Sequence, residues 1–517
     1  MTIEQVIGAA TRSWVSGDAA GGVIAVFDAT GIRRSWCLGL ADLESRRAWA
    51  LDTPTRLASI SKHVLSACVF SLGLDRTLGS YLPELQPALA ATTMSRALTM
   101  TSGLPDLGES LTLAGMSTTT SMGAERLFAL AARIAHLNFP SGGEVSYSNT
   151  NFRLAQHAVE RQTGKKLRDW LRGNFFAPLG LTSFDLPTDQ SDFVPGLAAG
   201  YYHVEGKPRR GSYGLHFSGS GGMVASARDL VAWLQALARG DGKLSGLFAK
   251  IAAPGVLQDG KQIGYGHGFM LHHLAGREFV GHGGSLPGYK NHFILDPASG
   301  RGVVVLSNRE ETEAQSLAFE IFAAELGIEP RPKFTDPVPV GLFVDPLSGD
   351  TLELTQGATG ATANFLGTED KLVLGDGGVW SSTAPHMPIQ IHPTSPDATI
   401  LRASIGGAAA RTWQREAGAS SAEYAGRYRC DELDAQHEIL MQGDVLALRY
   451  GGGPAPDAAC DLRPTARDCF ATTTPFNGFT RQRPALRFLR DAAGRLSGFT
   501  LSSNRSRGWH FARLNNS

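Results

Sequence analysis

A change of periodicity near residue 330 constrains this chain more than any other feature. Before it, apolar residues recur at helical spacing in several long segments, of which 311–326 is the last. Then comes Glu329-Pro330-Arg331-Pro332-Lys333, followed by Pro337 and Pro339. Neither a helix interior nor an inner strand tolerates such a run. Beyond it helical patterning nearly vanishes, and short alternating stretches separated by Gly, Asp and Asn continue to the end. A softer boundary falls at Ala417-Gly418-Ala419-Ser420-Ser421. The segments on either side of it open alike, with Gly341-Leu342-Phe343 and Gly426-Arg427-Tyr428. They read as two small antiparallel β modules, each a sandwich or a barrel, with the shared opening as the one sign of a repeat. The expected division is residues 1–330, 331–417 and 418–517.

The first unit mixes both patterns. Residues 4–16 are amphipathic, and Gly22-Val23-Ile24-Ala25-Val26-Phe27-Asp28 is a strand whose hairpin partner is expected at 35–41. Helical text dominates from 125 to 137, from about 150 to 180, and from 226 to 237. Residues 277–309 read as antiparallel strands before the final helix. An early hairpin and a late run of strands, with helices between, predict an α+β unit with helices on an antiparallel sheet.

Composition removes several function classes. Lys and Arg number 48, as do Asp and Glu, and no segment is a basic stripe, so no nucleic acid is expected as a partner. No apolar run is long enough to span a bilayer. Met1-Thr2-Ile3-Glu4-Gln5 lacks the basic-then-apolar pattern of a secretory signal. Five scattered cysteines fit free thiols in a reducing compartment, so a cytoplasmic location is expected. None stands as Cys-x-x-Cys and no His/Cys cluster has zinc spacing, so neither metal nor cofactor is expected.

Three patches carry possible chemistry. The first is Ser59-Ile60-Ser61-Lys62, the only Ser-x-x-Lys in the chain, ahead of the apolar run 64–70. Read as the first turn of a buried helix, it puts Ser59 and Lys62 on one face. A desolvated lysine loses its proton more readily and then takes one from a serine hydroxyl. An ordinary capped helix with a surface lysine would be written the same way. The second patch is Tyr147-Ser148-Asn149, where a tyrosine serves as general base if a cation lowers its pKa, and the Asn149 amide orients a substrate or the lysine. A buried loop tyrosine beside an Asx turn is the plain alternative, and Tyr289-Lys290-Asn291 is a rival. The third is His282-Gly283-Gly284-Ser285 at a strand end. Its glycines allow a substrate backbone close to the strand, and its histidine is able to donate or shuttle a proton. A strand that simply ends in a glycine turn fits equally.

In the order Ser-x-x-Lys, Tyr-x-Asn, His-Gly-Gly, the set resembles the penicillin-recognising serine enzymes, in the branch of class C β-lactamases, DD-peptidases and serine esterases. Leu98-Thr99-Met100-Thr101-Ser102-Gly103-Leu104-Pro105-Asp106 is similar to that branch's HTSGLPD segment, with Met100 in place of histidine. Phe139-Pro140-Ser141-Gly142 and Phe176-Ala177-Pro178-Leu179-Gly180-Leu181 look like two further segments of it. The likeness covers about residues 5–326. Within the branch, the chain most resembles the D-aminopeptidases. His282 replaces the usual lysine, and two β domains follow, the last carrying Gly426-Arg427-Tyr428 and Asp431-Glu432-Leu433-Asp434-Ala435. The implied fold is a β-lactamase/DD-peptidase-like catalytic domain followed by two small β-barrel domains. The resemblance also implies a homodimer and a third-domain loop, here 473–483, entering the cleft. Two positions depart from it: Asn477 and Ser220 stand where that group carries aspartates facing the substrate amine.

The implied reaction is acyl transfer through a serine ester. Ser59 attacks, Lys62 and Tyr147 move its proton, and the N–H groups of Ser59 and Ser285 form an oxyanion hole. Asn149, Ser220 and Asn477 are the remaining substrate contacts. A neutral His282 argues against a carboxylate-anchored β-lactam and for a substrate with a free amine. The leading expectation is release of N-terminal D-amino acids from a small peptide or amide. The alternatives are an esterase or D-amino-acid amidase, and a penicillin receptor without turnover.

Overall fold

The computed structural model describes residues 2–514 except 275, 329–336, 359, 393, 394, 396, 452–458 and 474–482. Most of the proline-rich boundary, and Asn477 with nearly all of the 473–483 loop, thus lie outside the described residues.

A six-stranded antiparallel sheet organises the N-terminal part. Its strands are β1 (Gly22–Asp28), β2 (Gly31–Leu38), β3 (Met270–Leu274), β4 (Arg277–Leu286), β5 (Tyr289–Leu295) and β6 (Gly302–Ser307). Their spatial order is β2-β1-β6-β5-β4-β3. The early hairpin and the late strands are one sheet, because β1 pairs with β6 from Gly22↔Ser307 to Phe27↔Gly302. The hairpin is tighter than the sequence indicated. Gly31, at φ +145°, reverses the chain directly after Asp28, so β2 starts there and not at Ser35.

Six helices matter for the site: α1 (Ile3–Ala10), α2 (Lys62–Ser71), α3 (Leu107–Leu113), α4 (Asn149–Thr163), α5 (Ala227–Arg239) and α6 (Ala314–Leu326). Side chains alternate across the sheet and so divide the core in two. Ile24 and Val26 of β1, with Val303 and Val305 of β6, pack on α1 and α6. Val23, Ala25 and Phe27, with Val304 and Leu306, face the layer holding α2, α4 and α5. Both faces are covered, which is why the strands read as apolar runs.

Each C-terminal module is a closed eight-stranded antiparallel barrel. The first runs from β7 (Gly341–Val344) to β14 (Arg411–Arg415). The second runs from β15 (Gly426–Cys430), through β21 (Leu496–Ser503), to β22 (Ser506–Arg513). Closure leaves no free strand edge. The shared opening has a shared structural reason. Gly341 and Gly426 have φ of +146° and +153°, a region that favours glycine. In each barrel the last strand closes on the first, and an arginine of the last strand secures the seam. Arg415 donates to Val340 O at 2.8 Å and lies 5.0 Å from the Phe343 ring centre. Arg513 donates to Ala425 O at 2.9 Å and lies 5.9 Å from the Tyr428 ring centre. The weak repeat in the sequence is therefore a repeated closure device.

The barrels differ in how they join the rest. The first has a core of its own. The core of the second, including Tyr450, Trp509 and Phe511, is continuous with the helical layer of the N-terminal unit. His437 marks the join, with Nε2 2.7 Å from Leu113 O at the end of α3.

Candidate active site

The short strand Thr55–Arg56 leads into a 3₁₀ turn, Ala58–Ser61, and α2 begins only at Lys62. Ser59 thus sits in a tighter turn ahead of the helix, not in the helix's first turn as the apolar run indicated. Ala58 is the cause: its φ of +51° leaves the helical path, at a cost of about 1–2 kcal/mol for an L-residue. Such strain persists where the surroundings over-determine it. Here Ser61 clamps the turn, donating to Ala58 O at 2.7 Å and accepting the Met223 N–H at 3.1 Å. Ser59 stays partly exposed while Lys62 is fully buried.

The Lys62 amine has three partners. Nζ lies 2.8 Å from Asn149 Oδ1 and 3.2 Å from Ser59 Oγ, and it donates to Ser220 O. Two of these are carbonyl oxygens and only accept. A neutral amine has two N–H bonds, and those two carbonyls use both. Its lone pair is left for the Ser59 O–H. The electrostatics favour this form. Burial drives the Lys62 pKa well below the usual lysine value, the Arg505 guanidinium adds to that, and Asp106 opposes it.

Tyr147 lies beside this pair. Lys62 Nζ is 4.7 Å from its ring centre. Burial pushes the phenol pKa up, and only in part do the Ser59 hydroxyl and Arg505 offset it. Burial thus disfavours the phenolate base considered from sequence and makes Lys62 the better-placed acceptor for the Ser59 proton. The Tyr147 hydroxyl faces Ser59 without a hydrogen bond of ordinary geometry.

Asn149 is the first residue of α4, and Asp106 fixes that helix. One Asp106 oxygen caps α3 through the Glu109 N–H at 3.0 Å, and the other takes the Asn149 N–H at 2.7 Å. One buried carboxylate thus seats two helix starts beside the site. Met100 supplies the remaining acceptor. Its Sδ receives the Ser148 N–H at 3.3 Å and Asn151 Nδ2 at 3.5 Å. The thioether takes a role open to a histidine nitrogen at that position.

His282 is buried on β4. Its Nδ1 is 2.6 Å from Gly283 O and so carries the ring proton, and its Nε2 accepts from the Tyr265 hydroxyl at 2.9 Å. Both nitrogens are engaged inside the protein. Burial drives the ring pKa well below the usual histidine value, which favours the neutral ring. Tyr265 in turn stands edge-on to Tyr147 at 6.2 Å. β3 pairs with β4 only over Arg277–Gly281, so the edge from His282 onward faces the Ser59 turn instead. Gly284 makes that approach possible, since a Cβ there would lie 2.2 Å from Leu57 O. Gly284 thus admits the nucleophile turn itself, which the sequence did not indicate. Ser285 continues the edge, exposed, and accepts from Lys290 Nζ at 2.7 Å. Ser220 meets Lys62 through its backbone, while its hydroxyl bonds to Ser218 at 2.8 Å.

Residues from both barrels complete the site. His386 of the first barrel lies edge-on to Tyr147 at 5.4 Å. Arg505, in the turn between β21 and β22, lies with Cζ 4.9 Å from the Tyr147 ring centre. A cavity of about 10 Å³, room for one water at most, separates Tyr147 from Arg505 and His386. Sequence reasoning passed over Asp106, Tyr265, His386 and Arg505. Asp106 had a signal, an aspartate followed three residues later by Glu109 at a helix start. Arg505 had none, since an arginine in a hairpin turn reads as solvated.

A model of the Beta-lactamase family matches residues 4–326. The chain belongs to that family. The match ends where α6 ends and leaves both barrels outside it. A D-aminopeptidase of Brucella canis is 27% identical over 505 residues, 93% of each chain. An octameric penicillin-binding protein homologue from Pyrococcus abyssi matches in structure with TM-score 0.55 at 17% identity, covering 99% of each chain. A D-amino acid amidase from Ochrobactrum anthropi SV3, complexed with L-phenylalanine amide, matches with TM-score 0.52 at 24% identity over 63% of this chain and 97% of that one. These two structures share the fold. Among the described residues, no helix is long and apolar enough to cross a membrane.

Proposed function

We propose that this chain is a serine hydrolase that releases N-terminal D-amino acids from small peptides and amides through an acyl-enzyme at Ser59. The hydrogen bonds of Lys62 carry the reading, because two carbonyl acceptors occupy the protons of a neutral amine and aim its lone pair at Ser59. Lys62 takes the Ser59 proton as Oγ attacks the substrate carbonyl. The N–H groups of Ser59 and Ser285 receive the oxyanion, each such donor being worth roughly 3–4 kcal/mol in the transition state. Tyr147 gives its proton to the leaving amine and recovers one from Lys62. Water then attacks the ester, with Lys62 again as base. Asn149 and Ser220 hold Lys62 in place, and His282 holds Tyr265 behind Tyr147. Asn477 remains a candidate contact for the substrate amine.

The D-amino-acid part rests on similarity to the D-aminopeptidase of Brucella canis along nearly the whole chain. The catalytic unit is taken as residues 1–330, with barrels at 331–417 and 418–517. A cytoplasmic homodimer is the proposed form. The five cysteines support that compartment, none being in a disulfide and four of them buried.

Hydrolysis of D-alanine p-nitroanilide, L-alanine p-nitroanilide and p-nitrophenyl acetate tests the reading. Cleavage of the D-anilide over the L-anilide is expected, with none in Ser59→Ala. Cleavage of the ester alone, or a penicillin adduct on Ser59 that persists without turnover, would replace it with the esterase or the receptor.

A further inference from the structure

We infer that Arg505 binds the free α-carboxylate of the residue leaving from Ser59, so that the site prefers short peptides with an ionised C-terminus over neutral amides. This rests on the function proposed above and adds a leaving-group requirement to it.

The turn that carries Arg505 is held in place. Its carbonyl accepts the Asp106 N–H at 2.8 Å and Asn138 Nδ2 at 2.9 Å, and its N–H donates to Glu109 Oε2 at 2.9 Å. Next to it, Ser506 Oγ lies 2.7 Å from Ser110 Oγ. The backbone at Arg505 is thus part of the catalytic unit's own wall.

The side chain is not used up by these contacts. Nε lies 3.5 Å from Glu109 Oε1, and among the described residues neither terminal nitrogen has a hydrogen-bond acceptor. The side chain is 29% exposed, so its outer fork is open to a ligand. A guanidinium with its terminal nitrogens free suits a carboxylate, which it grips through two parallel hydrogen bonds.

The neighbouring acids cannot offer the opposite service. Asp106 is committed to two helix starts. Glu109 serves Ser503, at 2.6 Å, and Arg505. Glu144 is paired with Arg507 at 3.0 Å. Burial first, then the Arg505 guanidinium, pushes the His386 pKa down to about 3, which favours the neutral ring. This wall therefore presents a cation and no free carboxylate among the described residues.

Position completes the argument. Tyr147 hands its proton to the leaving nitrogen, and in a peptide the α-carboxylate is two bonds from that nitrogen. A carboxylate at that distance comes within reach of the exposed outer side of Arg505, whose Cζ lies 4.9 Å from the Tyr147 ring centre.

The test compares D-alanylglycine with D-alanylglycinamide on the full-length protein. Wild type should favour the acid about 10- to 100-fold in kcat/KM, mainly through KM. Arg505→Met should lose that preference, read as the acid-to-amide ratio of kcat/KM, because removing the charge that helps to keep Lys62 neutral slows both substrates alike. Arg505→Lys, which keeps the charge without the fork, should fall between, and it decides the matter if Arg505→Met lowers Tm. Equal use of acid and amide by a wild type that cleaves D-alanine p-nitroanilide overturns the Arg505 assignment and leaves the proposed function standing. So does an unchanged acid-to-amide ratio in Arg505→Met. A wild type inert to every D-substrate overturns both.

Discussion

A single methyl group added at Gly284 tests the central packing relation of the site. Its Cβ would stand 2.2 Å from Leu57 O and 3.3 Å from the Ala58 Cβ. Ordinary contact begins near 3.4 Å, so strand β4 and the nucleophile turn have to part by about 1 Å. The obstacle is backbone, and Ser61 with Met223 holds it from the other side. A misplacement of about 1 Å between reacting groups costs roughly 100-fold in rate, or about 3 kcal/mol of transition-state stabilisation. Overpacking itself costs about 1–3 kcal/mol of stability, small enough to leave the protein folded. Gly283→Ala is the control. A Cβ there meets His292 Nδ1 at 3.3 Å and Asn291 O at 3.7 Å, and a ring tip is able to shift. Stopped-flow acylation with D-alanine p-nitroanilide and p-nitrophenyl acetate, with Tm alongside, reads both variants. Gly284→Ala should acylate about 100-fold more slowly, and Gly283→Ala within about threefold of wild type. If Gly284→Ala acylates as fast as Gly283→Ala, β4 does not set the position of Ser59.

Two further expectations concern protons. Because Lys62 acts neutral and its pKa is lowered, kcat/KM should rise with pH up to a plateau reached well below the usual lysine value. Asp106 holds that pKa up, so Asp106→Asn should move the rising limb to lower pH. The same change keeps the cap on α3 but sets an NH2 group against the Asn149 N–H, at about 1–3 kcal/mol of stability in urea denaturation, and a limb that stays put or moves up would refute the assigned influence. His63 and His292 are fully buried, with pKa values pushed down to about 3. The unfolded chain binds protons there first, so their contribution is complete above pH 6.5 and is lost as pH falls toward 3. Each should cost about 2 kcal/mol between pH 7 and pH 5. Denaturation midpoints that do not change across that range would contradict the burial of both rings.

Much of this architecture was legible in the residues. The short unbroken apolar runs at 22–28 and 302–307 mark strands buried on both faces. The pairing of those strands was less so, since nothing local in β1 names β6, some 280 residues away, as its neighbour. The site divides the same way. Ser59 and Lys62 are three apart and announce each other, whereas Tyr147 and His282 join them only through long-range packing. The 3₁₀ turn escaped the apolar pattern because one residue, Ala58, departs from helical φ. Arg505 and His386 escaped it because their meaning comes from how two barrels dock, and docking leaves no period in a sequence.

That docking shows why the barrels belong to the chemistry. Two ion pairs, Arg505–Glu109 and Arg507–Glu144, stand among the contacts at the Arg505 turn. Arg507 and Glu144 keep only 8% and 12% of their side chains exposed. Buried pairs of this kind add little net stability, since desolvation offsets their attraction, yet removing one partner costs about 3–5 kcal/mol. Adhesion therefore comes from Trp509, Phe511 and Tyr450, which share the core of the catalytic helices. The ion pairs contribute register, because a turn displaced by one residue would leave Glu109 and Glu144 as unpaired buried carboxylates. Register is what places Arg505 over Tyr147, and with it the charge that helps to keep Lys62 neutral. A barrel docked by apolar surface alone could slide; one docked by these pairs holds a cation at a fixed distance from the base.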